Sequence, residues 1–312
     1  MIEHSQISKL TNCLIHPGCP NDLGWSYISV HRALKAGKLY RIWPGFYIKQ
    51  SIFELLTINE KHLLRILAAR KAVTEKLILS HTSAARIHNF AVLDSENHVS
   101  FRTTNLRAKS KSLKYHRYQD EAEVIKTDIG LITTPEQTVI DCARKLPFIN
   151  ALVTADSARN KGCLISNILD VLDKNGFKKD KSKVQKILNF STKLAESPAE
   201  TIARFQLYKI GMPKPTLQKT LYYEGYKFRA DISYPELSLI VEVDGKQKYF
   251  DFNNDIKTAI YKEKLRQDVI ERNGWKIIRL TWQDLQNLYL LKQIFRPYLT
   301  QHTEDLIITN GV

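Results

Sequence analysis

The 312-residue sequence contains no apolar run approaching the roughly 20 residues a membrane helix needs. Its N-terminus also lacks a charged segment followed by an apolar stretch, so a cytoplasmic protein is expected. Cysteine is scarce: Cys13, Cys19, Cys142 and Cys163 fit reduced thiols better than a disulfide framework. Cys13, His16 and Cys19 lie close together, but no second ligand pair follows downstream to complete a zinc site. There is no glycine-rich phosphate loop, internal repeat or low-complexity tract. Acidic residues are outnumbered, with 32 Asp and Glu against 47 Lys and Arg, a net charge of +15. An excess of that size favours a polyanionic partner, nucleic acid before membrane. Hydrophobic content of 43% is ordinary, and the length suggests more than one domain, each with a core of its own.

What is present is most distinctive between Arg229 and Tyr249, where acids sit inside apolar strand patterns. Phe228 to Ser233 alternates, with Phe228, Ala230 and Ile232 on one face and Arg229, Asp231 and Ser233 on the other. Tyr234-Pro235-Glu236 makes a turn, and Leu237 to Val243 reads as a second strand in which Ile240, Glu242 and Asp244 share a face. Asp231, Glu242 and Asp244 are therefore expected to converge at one end of a two-stranded unit. Converging carboxylates repel unless a divalent cation or an arginine intervenes. Two readings follow: a Mg²⁺ site, or a solvated sheet edge whose acids pair with Arg229, Lys246 and Lys248.

Asp231 followed by Glu242-x-Asp244-Gly245 resembles the core of the restriction-endonuclease-like PD-(D/E)XK nucleases, in the branch related to very-short-patch-repair endonucleases. SPAETIAR at 197–204 resembles that family's opening helix with its acid, here Glu200, and GMPKPTLQ at 211–218 resembles the approach to its first strand. EKLRQDVIERNGWKIIRLTWQDL at 263–285 is similar to the closing helix, strand and helix. From the residues themselves, Glu224-Gly225 is expected to turn the first hairpin, Ile277, Ile278 and Leu280 form a nearly continuous apolar strand of the kind a sheet covered on both faces needs, and Trp275 and Trp282 are read as core packing. The resemblance implies that Asp231 and Glu242, with Glu200, hold Mg²⁺ or Mn²⁺, that the Val243 carbonyl completes the shell, and that Asp244 is a further ligand or orients the attacking water. It departs from the classical pattern, which has lysine where Asp244 stands; Lys246, Lys248 or Lys264 is then the activating base.

At the other end, Ile7 to Leu14 and Ser26 to Ala36 read as helices, the second capped by its serine and stopped by Gly37. KLYRIWPGFYI at 38–48 follows as two short strands around Pro44-Gly45, giving the order of a winged helix. Arg32, Lys35, Lys38 and Arg41 supply cations suited to DNA phosphates. Gly37, Leu39, Arg41, Gly45 and Tyr47 resemble the N-terminal winged helix of AbiEi-type antitoxins. SHTSAA at 80–85 and LITTPEQTVID at 131–141 resemble that family's companion region.

In the middle, one helix is expected over 51–73 and another over 80–90, capped at Ser80 or Thr82. Strands are expected over 98–103, 112–118 and 123–132, and a threonine-capped helix over 133–146. His81, His88, Asp141 and Asp156 are read as capping, pairing or solvated groups. The lysine cluster Lys178, Lys179, Lys181, Lys183 and Lys186 is either a DNA-facing surface or a solvated helix start. The expected fold class is α/β, as a multi-domain α+β chain: a winged helix at 1–50, an α+β middle domain at 51–195 and a restriction-endonuclease-like mixed sheet flanked by helices at 196–312. The expected function is a metal-dependent endonuclease or nickase on double-stranded DNA, in phage defence or repair. The alternative is a non-catalytic, antitoxin-like regulator with a toxin partner or a homodimeric state.

Overall fold

A computed structural model of the chain describes residues 4–17, 24–72, 77–93, 98–103, 112–117, 121–174, 180–244 and 256–299, with backbone alone for Asp244 and 256–263. The chain is α+β and divides into two compact units, Met1–Ser191 and Thr192–Val312. Among the described residues no helix is long and apolar enough to cross a membrane.

The first unit begins with helices α1 (His4–Asn12) and α2 (Tyr27–Lys35) and the strands β1 (Leu39–Trp43) and β2 (Phe46–Lys49). Ser26 caps α2 by accepting from the Ser29 amide, and Gly37, at φ +66°, takes the left-handed conformation that ends the helix. The two strands pair antiparallel, and Ile15 adds a bridge to Tyr47. This is the expected helix, helix, hairpin order. Ile42, Phe46 and Ile48 of the hairpin share one hydrophobic core with Leu64, Ile66, Leu79 and Phe101 from farther along the chain.

The expected helix over 51–73 is two helices, α3 (Gln50–Leu55) and α4 (Ile58–Ala72). They part at Thr57, whose amide and hydroxyl both donate to Glu60 while the Glu60 amide donates back to the hydroxyl. That capping box starts a new helix inside an unbroken apolar pattern. Next come β3 (Ile78–Leu79), too short to stand out in sequence, α5 (His81–Ile87), β4 (Val99–Thr103) and β5 (Leu113–Arg117). The strand expected over 123–132 is a hairpin of β6 (Val124–Thr127) and β7 (Gly130–Thr133). Gly130, at φ +103°, lies where a Cβ would meet the Arg70 guanidinium at 2.7 Å. That guanidinium donates to the carbonyls of Leu77 and Leu131. The five strands run in the order β5-β4-β3-β7-β6. Helices α6 (Pro135–Lys145), α7 (Phe148–Asn160), α8 (Ile165–Lys174) and α9 (Lys181–Phe190) complete the unit, with Thr134 capping α6 ahead of Pro135 as expected.

The core of this unit contains a polar network. Arg102 Nη1 donates to Asp141 Oδ1 at 2.7 Å with both side chains buried, and Gln137 Nε2 donates to the same oxygen at 3.0 Å. The rings of His81 and His116 stack at 3.5 Å, and His62 Nε2 lies 3.2 Å from Ser83 Oγ. Burial makes the charged form costly, so His62 and His116 are each lowered to about 3, and His81 falls well below its ordinary value.

This gives the fold a pH dependence of definite sign. The unfolded chain binds a proton at each histidine below about pH 6.5 and the folded chain does not, so their contribution is complete above that value and is lost as pH falls towards 3. At pH 5 the loss is roughly 2 kcal/mol each for His62 and His116. Thermal melts followed by circular dichroism should show the first unit melting progressively lower from pH 7.5 to pH 5; an unchanged melting temperature contradicts it.

The second unit comprises α10 (Pro198–Lys209), β8 (Thr216–Tyr223), β9 (Tyr226–Tyr234), β10 (Leu239–Asp244), α11 (Ile256–Arg272), β11 (Lys276–Thr281) and α12 (Leu288–Phe295). The sheet order is β11-β10-β9-β8, with β10 parallel to β11 and antiparallel to β9. Glu224 and Gly225, at φ +49° and +78°, form the tight turn expected between β8 and β9. Ser197 caps α10 by accepting from the Glu200 amide. β11, expected to be covered on both faces, lies at the sheet edge, and within it only Leu280 is fully buried. The expected core packing of tryptophan holds for Trp275, which joins Leu221, Phe228 and Ile270, while Trp282 is 36% exposed.

Candidate active site

The acids singled out by their spacing lie where two strands part. The ladder between β9 and β10 runs Leu239↔Tyr234, Ile240↔Ser233, Val241↔Ile232. Asp231 and Glu242 are the next residues along, so they stand at the same level on neighbouring strands just beyond the paired segment. On the outer side, Gln218 of β8 sits across from Asp231, between the pairs Leu217↔Ile232 and Lys219↔Ala230. Gln218 has φ +53°, a conformation a side chain adopts at some cost.

Glu200, in the first turn of α10, reaches this level from the helix. Its Oε2 accepts from Gln218 Nε2 at 3.1 Å and from the Glu196 amide at 2.9 Å. Burial raises the Glu200 carboxyl above the usual range, and the like charges of Asp231 and Glu196 push it the same way. Glu200 and Asp231 thus form an acidic pair on one side of the site.

Glu242 has different company. Arg266 Nη2 of α11 donates to its Oε1 at 2.5 Å, and Arg279 Nε of β11 donates to its Oε2 at 3.1 Å. Arg279 is its register partner in the parallel pair, and the Glu242 side chain is only 14% exposed. A carboxylate gripped at both oxygens by guanidiniums is oriented and charge-compensated. Among the described residues no group of three His, Cys, Asp or Glu side chains is gathered closely enough to hold a metal ion.

Of the residues named from sequence, Asp231, Glu242 and Glu200 come to one region. Asp244 ends β10 opposite Thr281, with its side chain outside the described residues, as are Lys246 and Lys248. Lys264 is exposed on α11. Sequence reasoning missed Gln218, Arg266 and Arg279. Arg279 carried a signal, a lone cation inside the apolar run KIIRLT; the left-handed backbone of Gln218 left none.

In the first unit, Arg32, Lys35, Lys38 and Arg41 are all exposed, on α2 and the hairpin. His31 of α2 is also exposed, with Tyr27 71% and Ile28 67% exposed, groups that the charge pattern did not reveal. Replacing Lys38 and Arg41 together by alanine should weaken duplex binding about equally for all sequences. It should also lower the slope of log K against log salt by about 2, roughly 1 per lost phosphate contact. Fluorescence anisotropy across a salt series measures this, and an unchanged slope contradicts it.

Other candidates are structural. Cys13 Sγ donates to the Lys9 carbonyl, His16 stacks on Phe46 at 4.4 Å, and Cys19 lies outside the described residues. His88 Nε2 bonds the Thr133 carbonyl at 2.8 Å, and Asp156 is buried rather than solvated. Lys183 Nζ donates to the Arg144 and Leu146 carbonyls at the end of α6, and Lys181 pairs with Asp173 at 2.7 Å. Lys178 and Lys179 lie outside the described residues, and Lys186 is exposed.

Two uncharacterized proteins of Mycobacterium tuberculosis strains are each 25% identical to this chain over 259 residues, covering 81% of it and 89% of their own length. These findings lend no support of their own to the antitoxin and nuclease resemblances. A family model described as the RAP domain matches residues 241–293, the segment from β10 to α12 that holds Glu242, Arg266 and Arg279.

Proposed function

We propose that the chain is a DNA-binding protein whose C-terminal unit hydrolyses phosphodiester bonds with a divalent cation, Mg²⁺ or Mn²⁺, as an endonuclease or nickase. The observation that carries this reading is the placement of Asp231 and Glu242 at one level of the sheet, just where the β9–β10 ladder ends, with the charge of Asp231 felt at Glu200. The net charge of +15 and the RAP-domain match support a nucleic-acid partner. The exposed cations of α2 and the β1–β2 hairpin support duplex DNA in particular.

Carboxylate oxygens are hard ligands, and Mg²⁺ is commonly held by one or two of them with its remaining positions filled by water, so an acidic pair suits it although the described residues gather no group of three. Asp231 and Glu200 would hold it, with the Val243 carbonyl contributing from β10, where Glu242 stands at the same level engaged by its two arginines. Bound there, the cation would lower the pKa of water and polarise a phosphate. Arg266 and Arg279 keep Glu242 oriented and supply positive charge for phosphate oxygens. Lys246 and Lys248 follow the strand directly and serve in this reading to steady charge developing at phosphorus.

One observation favours a second reading, a non-catalytic, antitoxin-like regulator. The two guanidiniums on Glu242 already do what a cation would do for its charge. Incubating supercoiled plasmid with the full chain in Mg²⁺, Mn²⁺ or EDTA separates the two. The nuclease reading predicts metal-dependent conversion to open-circular or linear DNA, and intact plasmid in all three favours the regulator.

A further inference from the structure

The β8–β9 hairpin has one face that the nuclease reading leaves unused. Thr220 pairs with Arg229 and Tyr222 with Lys227, and cross-strand partners two residues apart share a face. All of these residues are exposed, Tyr222 to 69%. The opposite face is occupied: Tyr223 accepts from Trp275 Nε1 at 2.8 Å, and Leu221 and Phe228 are buried with Val269 and Ile270. The exposed row runs from Tyr222 and Lys227 at the hairpin tip to Thr220 and Arg229, and beyond it on the same strands come the half-buried Gln218 and Asp231. At the inner end Arg229 Nη2 bonds Glu196 Oε2 at 2.5 Å.

An exposed aromatic ring on a sheet, flanked by cations, leading to an acidic pair, matches the chemistry of an unpaired nucleic-acid strand. The ring offers a surface for a base, the cations meet the phosphates, and neither contact depends on sequence. A duplex cannot use the ring, because its bases are stacked on one another. We propose that this face binds single-stranded DNA and leads the strand towards Asp231. The inference rests on the reading of Asp231 as part of a nuclease site and adds the form of the substrate, a strand opened locally rather than closed duplex.

The test is fluorescence anisotropy of the full chain with labelled oligodeoxythymidine and with a duplex of equal length, in EDTA, so that the outcome is independent of cleavage. Tyr222→Ala should weaken single-strand binding by about 5- to 100-fold, the range expected for loss of one stacked base, with the salt slope unchanged. Tyr222→Phe should bind within about twofold of the wild type, since stacking needs the ring and not the hydroxyl. Tyr226→Ala, on the opposite face, should change little. Unchanged single-strand affinity in Tyr222→Ala, an equal fall for the duplex, or an equal loss in Tyr226→Ala would overturn the assignment. Tighter binding of oligouridine than of its DNA counterpart, with the same dependence on Tyr222, would overturn the choice of DNA. A chain that binds single strands through Tyr222 but never cleaves plasmid would keep this surface and lose the nuclease.

Discussion

Alanine at Asp231 or at Glu242 is expected to reduce metal-dependent plasmid nicking by on the order of 100-fold or more while leaving duplex affinity within about twofold. The expectation comes from position. The two residues stand at one level of the sheet where the β9–β10 ladder ends, and Glu200 adjoins Asp231 from α10. The exposed cations proposed to meet DNA, on α2 and around the β1–β2 hairpin, belong to different elements altogether. The two variants differ in one respect. Glu242→Ala also removes the carboxylate to which both Arg266 and Arg279 donate. It should therefore destabilise the second unit more than Asp231→Ala does, and Glu242→Gln, which keeps the shape and an acceptor oxygen, separates lost chemistry from lost folding. Equal nicking by wild type and Asp231→Ala would remove Asp231 from any catalytic role.

The largest effect on stability is expected at Asp141. Its Oδ1 accepts from both Arg102 and Gln137 inside the first unit, and its side chain is fully buried. Asp141→Ala leaves the Arg102 guanidinium, itself only 4% exposed, without its carboxylate in a medium that solvates it poorly. Breaking one side of a buried ion pair costs about 3–5 kcal/mol. For a unit of this size that lowers the melting temperature by on the order of 10 °C. Replacing both partners by apolar residues, as in Arg102→Met with Asp141→Leu, should recover much of the loss, because no charge is then left unmatched. Differential scanning calorimetry decides this, and a melting temperature unchanged in Asp141→Ala would mean that Arg102 is solvated after all.

Much of the fold is legible in the sequence wherever local chemistry fixes it. Ser26 and the threonine ahead of Pro135 are read correctly as caps, and Glu224-Gly225 as a hairpin turn, because each acts within a few residues of itself. The misreadings share a cause. Thr57 and Glu60 interrupt a helix whose apolar pattern runs on unbroken, and Asp128 to Gly130 turn a strand whose alternation looks continuous. In both places a local hydrogen-bond preference overrides periodicity. Edge position, which leaves β11 more exposed than its apolar run suggests, depends on sheet order and cannot be seen in any one strand.

For the candidate site, sequence spacing named the acids at the right level, while the groups that decide their electrostatics come from distant segments. Arg279 reaches Glu242 through a parallel pairing 37 residues away in sequence, and Arg266 through a helix lying between those strands in the chain. Gln218 meets Glu200 because its backbone turns left-handed within β8, which no local pattern signals. His81 is singled out in the sequence but His116 is not, and their stacking arises only when α5 and β5 meet in three dimensions.

The claim on which the functional account rests is that Asp231 and Glu200 share a divalent cation, and Mn²⁺ binding measured by electron paramagnetic resonance tests it without requiring turnover. Titrated with Mn²⁺ in the absence of DNA, the full chain should take up the ion, and Asp231→Asn and Glu200→Gln, both still folded, should each lose that uptake. Uptake undiminished in both variants, or absent from the wild-type chain with or without a DNA oligonucleotide, would contradict it.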